Sequence, residues 1–229
     1  MELTNKVTDF MKEIGADLVG IGDVEGIAPE GFRRAVVCAV AVPLDIVRKI
    51  PEGPTPDYPE KYETMNKYMD MIAVKGAEFI NSLGYRSIPL VGSNVKINRE
   101  KMMSEFPYKT AATRAGFGWV GKNDLLITPQ FGPGIRLTVV LTDAPLKAVV
   151  PINESGCGSC TACVDICPGK AISGKLWYAG INREELVNIE LCMKGAAQVA
   201  EKTLGKPSGL CGKCFAVCPY TQKYLNSAE

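Results

Sequence analysis

Eight of the nine cysteines crowd into the last third of the chain, in patterns suited to thiolate ligation of iron. The first pattern is C-x2-C-x2-C-x3-C-P, formed by Cys157, Cys160, Cys163, Cys167 and Pro168. The second is C-x2-C-x3-C-P, formed by Cys211, Cys214, Cys218 and Pro219. In the four-cysteine run, three thiolates hold one [4Fe–4S] cube and the fourth reaches across to another. Short loops suit this task, because successive thiolates must meet one face of a cube without an intervening helix or strand. A proline after each crossing cysteine stops the local turn from running on. Counting sites then assigns the ligands. Cys157, Cys160, Cys163 and the crossing Cys218 are expected to hold cluster one. Cys211, Cys214 and the crossing Cys167 are expected to hold cluster two, which leaves one site to fill. Cys192, in Glu190-Leu191-Cys192-Met193, is the remaining thiol of this region and is assigned to it.

Disulfides and zinc are the competing uses of these thiols. A disulfide framework requires an oxidising compartment. Met1-Glu2-Leu3-Thr4 does not begin a charged and then apolar leader, so a cytoplasmic location is expected. Structural zinc favours paired C-x2-C units over a longer span, often with histidine, and this chain has no histidine. That composition also removes histidine-based acid–base catalysis and histidine ligation. At 229 residues, with 46% hydrophobic and 22% charged residues and a net charge of +1, the chain can bury a core and exerts no general pull on nucleic acid or membrane. No apolar run approaches the length of a membrane span.

The elements that must position the thiols follow from periodicity. Residues 3–15 read as an amphipathic helix, and Asp17 to Ile21 as a short strand. The continuous apolar run from Arg34 to Val42 predicts a strand covered on both faces, with helices either side of a sheet. Cys38 within it reads as a small buried side chain. The proline-rich 51–59 predicts a loop, Glu60 to Leu83 a long helix, and Ser87–Val91, Leu125–Thr128 and Ile135–Thr142 strands. A further helix is expected over Arg183–Gln198. The fold class expected is α+β: an α/β layered domain over 1–150, then a ferredoxin-like two-cluster domain over 151–229.

A second stretch, 106–127, reads FPYKTAATRAGFGWVGKNDLLI. It predicts a short helix over Ala111 to Ala115, a glycine-punctuated turn and a strand. Gly116, Gly118 and Gly121 permit close backbone approach, and free N–H groups in such a turn can hold an anion. From Ser93 to Asn123, six cations (Lys96, Arg99, Lys101, Lys109, Arg114 and Lys122) face two anions (Glu100 and Glu105), a balance of +4. The stretch therefore reads either as a tight turn with solvated lysines or as a site for a group carrying phosphate or carboxylate. The glycines precede the strand instead of following one, which argues against a nicotinamide site.

AATRAGFGWVGKNDLLI, VVLTDAPL, CGSCTACVDICPGKAI and CGKCFAVCPYTQKYL, in that order, resemble the epoxyqueuosine reductase family, which is similar in turn to the core of corrinoid reductive dehalogenases. The resemblance covers roughly residues 85–225, including the lone cysteine between the two motifs. It implies a nitroreductase-like N-terminal domain, a base-off cobalamin between that domain and the nearer cluster, and electrons passing from cluster to cluster to cobalt. It also implies the same crossed ligand pattern. Lys109, Arg114, Gly116, Gly118, Trp119, Gly121, Lys122 and Asn123 are the implied cofactor contacts. Trp119 reads equally as a core aromatic. Three departures bear on substrate. The aspartate thought to donate a proton in tRNA-acting relatives is missing near Met102, which leaves Glu105 and Tyr108 as catalytic candidates. Tyr108-Lys109 stands where histidine commonly precedes the motif's lysine. Up to Glu229 there is no helical-repeat extension for gripping RNA.

Two functions are therefore expected. The first is an iron–sulfur oxidoreductase that passes electrons to a corrinoid, or another small-molecule acceptor, held by the N-terminal domain. The second is an electron-transfer protein that reduces a partner such as a corrinoid protein. A flavin ranks behind cobalamin. The expected donor is a low-potential protein of ferredoxin or flavodoxin type, and neither nucleic acid nor a membrane is an expected partner.

Overall fold

The computed structural model describes residues 1–92, 96–98 and 103–227. In chain order the elements are α1 (Glu2–Glu13), β1 (Leu18–Asp23), β2 (Arg34–Ala41), α2 (Leu44–Val47), α3 (Tyr58–Ser82), β3 (Ser87–Leu90), β4 (Ile97–Asn98), β5 (Met103–Ser104), α4 (Tyr108–Arg114), β6 (Trp119–Val120), β7 (Leu126–Ile127), β8 (Ile135–Thr142), α5 (Ala162–Ile166), α6 (Arg183–Leu186), α7 (Ile189–Leu204), α8 (Lys213–Ala216) and α9 (Pro219–Asn226). A short 3₁₀ turn covers Ile50–Glu52. These elements form two compact units. One comprises Met1–Ala41, Glu63–Phe117 and Arg136–Ile152. The other comprises Val42–Tyr62, Gly118–Ile135 and Asn153–Glu229.

The first unit is built on a sheet of order β1-β2-β8-β3, in which β1 pairs antiparallel with β2 and β3 antiparallel with β8. Strand side chains alternate between faces, and both faces are used. Val19 and Ile21 of β1, with Val36 and Cys38 of β2, join Val7 and Met11 of α1 and Met69, Ile72 and Ile80 of α3 in one apolar core. Gly20, on the opposite face of β1, lies so close to α4 that an added Cβ would stand 2.5 Å from the Ala115 carbonyl oxygen. The continuous apolar run of β2 thus has the cause expected of it, a helix layer on each side. Eight of the nine residues from Arg34 to Val42 lie in the strand, five of them buried in succession.

The second unit has little sheet. Its β6–β7 hairpin pairs Trp119 with Ile127 and Val120 with Leu126. The Gly121 N–H donates to the Leu125 carbonyl at 2.7 Å and closes the loop between them. The single helix expected over 183–198 is two. α6 stops at Leu186, and Asn188 starts α7 afresh by accepting the Leu191 N–H at 3.0 Å. Gly205, in the left-handed conformation, ends α7. The proline after Cys218 also acts differently from expectation. Pro219 occupies the first turn of α9, where its missing N–H costs nothing, so it begins a helix instead of halting a turn. Among the described residues no helix is long and apolar enough to cross a membrane.

Burial pushes the Cys38 thiol well above the usual cysteine range, and its side chain is fully enclosed. Cys38 is expected to resist iodoacetamide at pH 8 in the native protein and to be alkylated after unfolding, as read by peptide mass spectrometry. Fast native labelling would contradict its place in the core.

Candidate iron–sulfur centre

Cys157 to Cys167 run through a loop and the single helical turn of α5, and α5 packs against α8, the equivalent turn of the second motif. Cys163 lies in α5 and Cys214 in α8, so each motif does use a turn of helix where uninterrupted loop was expected. Packing the two turns together carries the thiols of one motif to those of the other.

The influence of each thiol on its neighbours sorts the eight into two sets. Cys163 is pushed up to about 11, first by burial and then by Cys157, Cys160 and Cys218. Burial also raises Cys218; the N–H groups of Tyr220 and Thr221 oppose this, and Cys157 and Cys160 add to it. These four thiols line one cavity of about 40 Å³. That is room for a few water-sized bodies, at roughly 10–15 Å³ each, and it suits a compact inorganic group. The second set is Cys167, Cys192, Cys211 and Cys214. Burial raises Cys192, with Cys167, Cys211 and Asp124 next in effect. Cys214 is pushed up to about 12 by burial, then by Cys211, Cys192, Cys163 and Cys167. Cys211 is raised by burial, against the pull of the Lys213 N–H and charge. Cys163 among the neighbours of Cys214 marks where the two sets adjoin.

Cys192 joins the second set through two glycines. An added Cβ at Gly169 would stand 2.1 Å from the Leu191 carbonyl oxygen, and one at Gly195 would stand 2.5 Å from the Gly169 nitrogen. The chain leaving Cys167-Pro168 therefore lies backbone to backbone against α7, and only glycines at both points permit it. Cys192, one turn before Gly195, is brought to Cys167 by that contact. A glycine inside a helix and another after a Cys-Pro pair were the available sequence signals; their pairing was not visible.

The hairpin β6–β7 supplies the other wall of the cavity. The Trp119 indole N–H donates to the Cys157 sulfur at 3.3 Å, and its ring meets Tyr220 edge-on at 5.1 Å between centroids. Lys122, only 6% exposed, donates from Nζ to the Cys160 carbonyl at 2.8 Å. Asn123 donates to the Cys214 carbonyl at 3.3 Å. The freedom of Gly118 serves this hairpin. Its φ is +155°, and an added Cβ would stand 1.8 Å from the Ile127 carbonyl oxygen.

The expected cofactor contacts are thus divided. Gly118, Trp119, Gly121, Lys122 and Asn123 lie in the unit with the thiols, and Lys109, Arg114 and Gly116 lie in the other. Arg114 donates to the Asp23 carbonyl at 3.0 Å. Tyr108 donates to the Leu90 carbonyl at 3.3 Å, and its phenol is pushed up to about 12 by burial and then by Asp70. Glu105 lines a separate cavity of about 410 Å³ in the first unit, with Lys96 at its edge and Ile88, Leu90, Phe106 and Leu141 as its apolar wall. Arg99, Lys101 and Met102 lie outside the described residues.

Residues 156–221 match the 4Fe-4S double cluster binding domain. The chain is 36% identical over 118 residues to an epoxyqueuosine reductase of Lactococcus garvieae, a match covering 51% of this chain and 32% of that protein. It is 33% identical over 158 residues to the tetrachloroethene reductive dehalogenase of Sulfurospirillum multivorans, covering 63% of this chain and 27% of that one. It therefore spans about a third or less of these two relatives. Two solved structures share the fold. The epoxyqueuosine reductase of Streptococcus thermophilus has a TM-score of 0.65 at 18% identity, covering 97% of this chain and 67% of that one. A reductive dehalogenase has a TM-score of 0.67 at 20% identity, covering 97% of this chain and 32% of that one. The cysteine-bearing segment is thus a double-cluster iron–sulfur domain. The chain that carries it is a relative of both the epoxyqueuosine reductases and the reductive dehalogenases.

Two outcomes follow. Gly195→Ala should remove about half of the bound iron by displacing Cys192, while leaving the EPR signal of the other cluster intact; an unchanged iron content would contradict the backbone contact. Because burial holds Cys163 and Cys214 protonated at neutral pH, cluster assembly must displace protons. Chemical reconstitution of apoprotein, followed by absorbance, should accelerate as pH rises from about 7 to about 9.

Proposed function

We propose that the chain is an iron–sulfur oxidoreductase in which two [4Fe–4S] clusters pass electrons, one at a time, to a corrinoid or other small-molecule acceptor held by the unit containing the four-stranded sheet. The cavity lined by Cys157, Cys160, Cys163 and Cys218 carries this reading, because thiols from two distant motifs line it together, as the ligands of one cube would have to. Cys167, Cys192, Cys211 and Cys214 are the ligands of the other. The corrinoid is supported by likeness to a reductive dehalogenase whose structure is said to suggest a mechanism for B12-dependent dehalogenation. The first unit is read as nitroreductase-like, and its cavity of about 410 Å³ falls within the usual range for a small-molecule site.

In this reading the chain's own residues do three things. The eight thiols hold the cubes, and the β6–β7 hairpin closes one of them from water with Trp119, Lys122 and Asn123. Tyr108 keeps its proton throughout the physiological range and donates it to the carbonyl of Leu90, a residue of the cavity wall, so it would have to leave that carbonyl to reach a substrate; Glu105 lines the cavity itself. The donor is proposed to be a low-potential protein of ferredoxin or flavodoxin type, in the cytoplasm. The net charge of +1 gives no general grip on RNA phosphates, so a small molecule is favoured over tRNA as substrate.

Anaerobically prepared protein is expected to show iron for two cubes, a broad visible absorbance from thiolate-bound iron, and spectral change on adding cobalamin. Iron for two cubes without any binding of cobalamin would remove the corrinoid and leave electron delivery to a partner protein. Tyr108→Phe should delete one phenol that titrates near pH 12 in an absorbance titration; loss of a phenol titrating near the ordinary value of about 10 would contradict its burial.

A further inference from the structure

The two thiol sets are unlike in the charges that surround them. Both receive backbone N–H groups: Ala171 donates to the Cys167 sulfur at 3.4 Å, and Tyr220 and Thr221 donate to Cys218. The difference lies in one loop. Lys122 and Asp124 are two residues apart in the β6–β7 connection, where the Asp124 N–H closes the turn onto the Gly121 carbonyl at 2.9 Å and Asp124 itself has φ of +59°. That twist sends the two side chains to different sets. Lys122 lines the cavity of the first set, buried, with Nζ 2.8 Å from the Cys160 carbonyl. The Asp124 carboxylate is the anion felt by Cys192 in the second. Asn123, between them, is fixed to the Cys214 carbonyl. Trp119 adds an N–H bond to the Cys157 sulfur, again on the first set only. Lys213, partly buried like Asp124, is a cation near Cys211 whose ammonium is held by the Pro51 carbonyl at 3.0 Å, so the second set has an anion and a cation that oppose each other, whereas the first has a buried cation.

A cube held by four thiolates is anionic and gains one further negative charge on reduction. A buried cation beside it, and an N–H aimed at one of its sulfurs, both favour the reduced form, since second-shell hydrogen bonds and burial set cluster potential. Beside the other cube an anion and a cation offset each other, and neither is buried. From this arrangement we infer that the Lys122-Asn123-Asp124 loop, with Trp119, is a potential-setting device that makes the Cys157 cluster the easier of the two to reduce. An electron entering at the Cys192 cluster, whose ligand Cys192 is exposed, then comes to rest on the enclosed one. The inference rests on the cluster assignment proposed above. Its residues are positioning residues, acting through the ligands.

The test is an EPR-monitored redox titration of anaerobic protein carrying iron for two cubes. Lys122→Met should make one centre at least tenfold harder to reduce, a fall of about 59 mV for a one-electron couple, and Lys122→Arg should restore it to within about threefold. Trp119→Phe keeps an aromatic side chain and removes the N–H, and it should shift the same centre the same way by about threefold or more. Asp124→Asn should make the other centre easier to reduce. The centre moved by Lys122→Met must be the one whose signal Cys192→Ser leaves unaltered. Unchanged potentials in both Lys122→Met and Trp119→Phe, with full iron, would overturn the inference while leaving the two-cluster reading intact. A shift confined to the centre that Cys192→Ser alters would also overturn it. Absence of two cubes from the unsubstituted protein would defeat the underlying reading instead. Should Lys122→Met fail to hold iron, Lys122→Gln and Trp119→Phe are judged on the same thresholds.

Discussion

Thiols separated by long stretches of chain must meet, and the second unit is arranged around that requirement. Cys218 stands among Cys157, Cys160 and Cys163, and Cys167 stands among Cys192, Cys211 and Cys214, so neither motif completes a set alone. Crossing ties the two motifs into one object. It also explains why α5 and α8 are single turns packed on each other: longer helices would carry the thiols apart. Burial raises several of these thiols, which in the absence of metal makes the site a group of protonated sulfurs with little to hold them together. Ligation and folding are therefore coupled here, as in other small metal-bound domains.

Around this centre each unit draws on a different source of order. The sheet unit is held by an apolar core of α1, α3 and both central strands, with α4 closing the opposite face at Gly20. Apart from α7, the cluster unit has short helices, isolated bridges and one small hairpin, and it gains rigidity from polar contacts onto its loops. Trp119, Lys122 and Asn123 each bind a cysteine's sulfur or carbonyl, so the hairpin fixes the loops whose thiols do the ligating. Those same contacts make the surroundings of the two sets unequal.

Much of this was legible in the residues. The spacing of the cysteines suggested both sets, because a run of this kind sends its fourth thiol to a second cube, and Cys192 was then the thiol left for the eighth site. The strand Ile135–Thr142 and the doubly covered Arg34–Ala41 followed from apolar runs whose cause is local. What could not be read was non-local. Gly169 and Gly195 carry no sign of each other in sequence, yet their contact places Cys192. The stretch 106–127 read as one continuous piece, either a tight turn with solvated lysines or an anion site, whereas Phe117 and Gly118 fall in different units and Gly118 is pressed against the Ile127 carbonyl. The break between α6 and α7 depended on Asn188 capping the second helix, a choice that hydrophobic periodicity does not register. The polar and charged roles of Lys122 and Asp124 were hidden for the same reason: their spacing is trivial until a left-handed residue turns them apart.

The crossed pairing is the central claim, and exchange of single ligands tests it most directly. EPR spectra of reduced Cys157→Ser, Cys211→Ser and Cys218→Ser, prepared anaerobically, report which centre each cysteine serves. The structure predicts that Cys218→Ser perturbs the signal that Cys157→Ser perturbs and spares the one altered by Cys211→Ser. A Cys218→Ser spectrum that instead matches Cys211→Ser, its neighbour in sequence, would contradict the account.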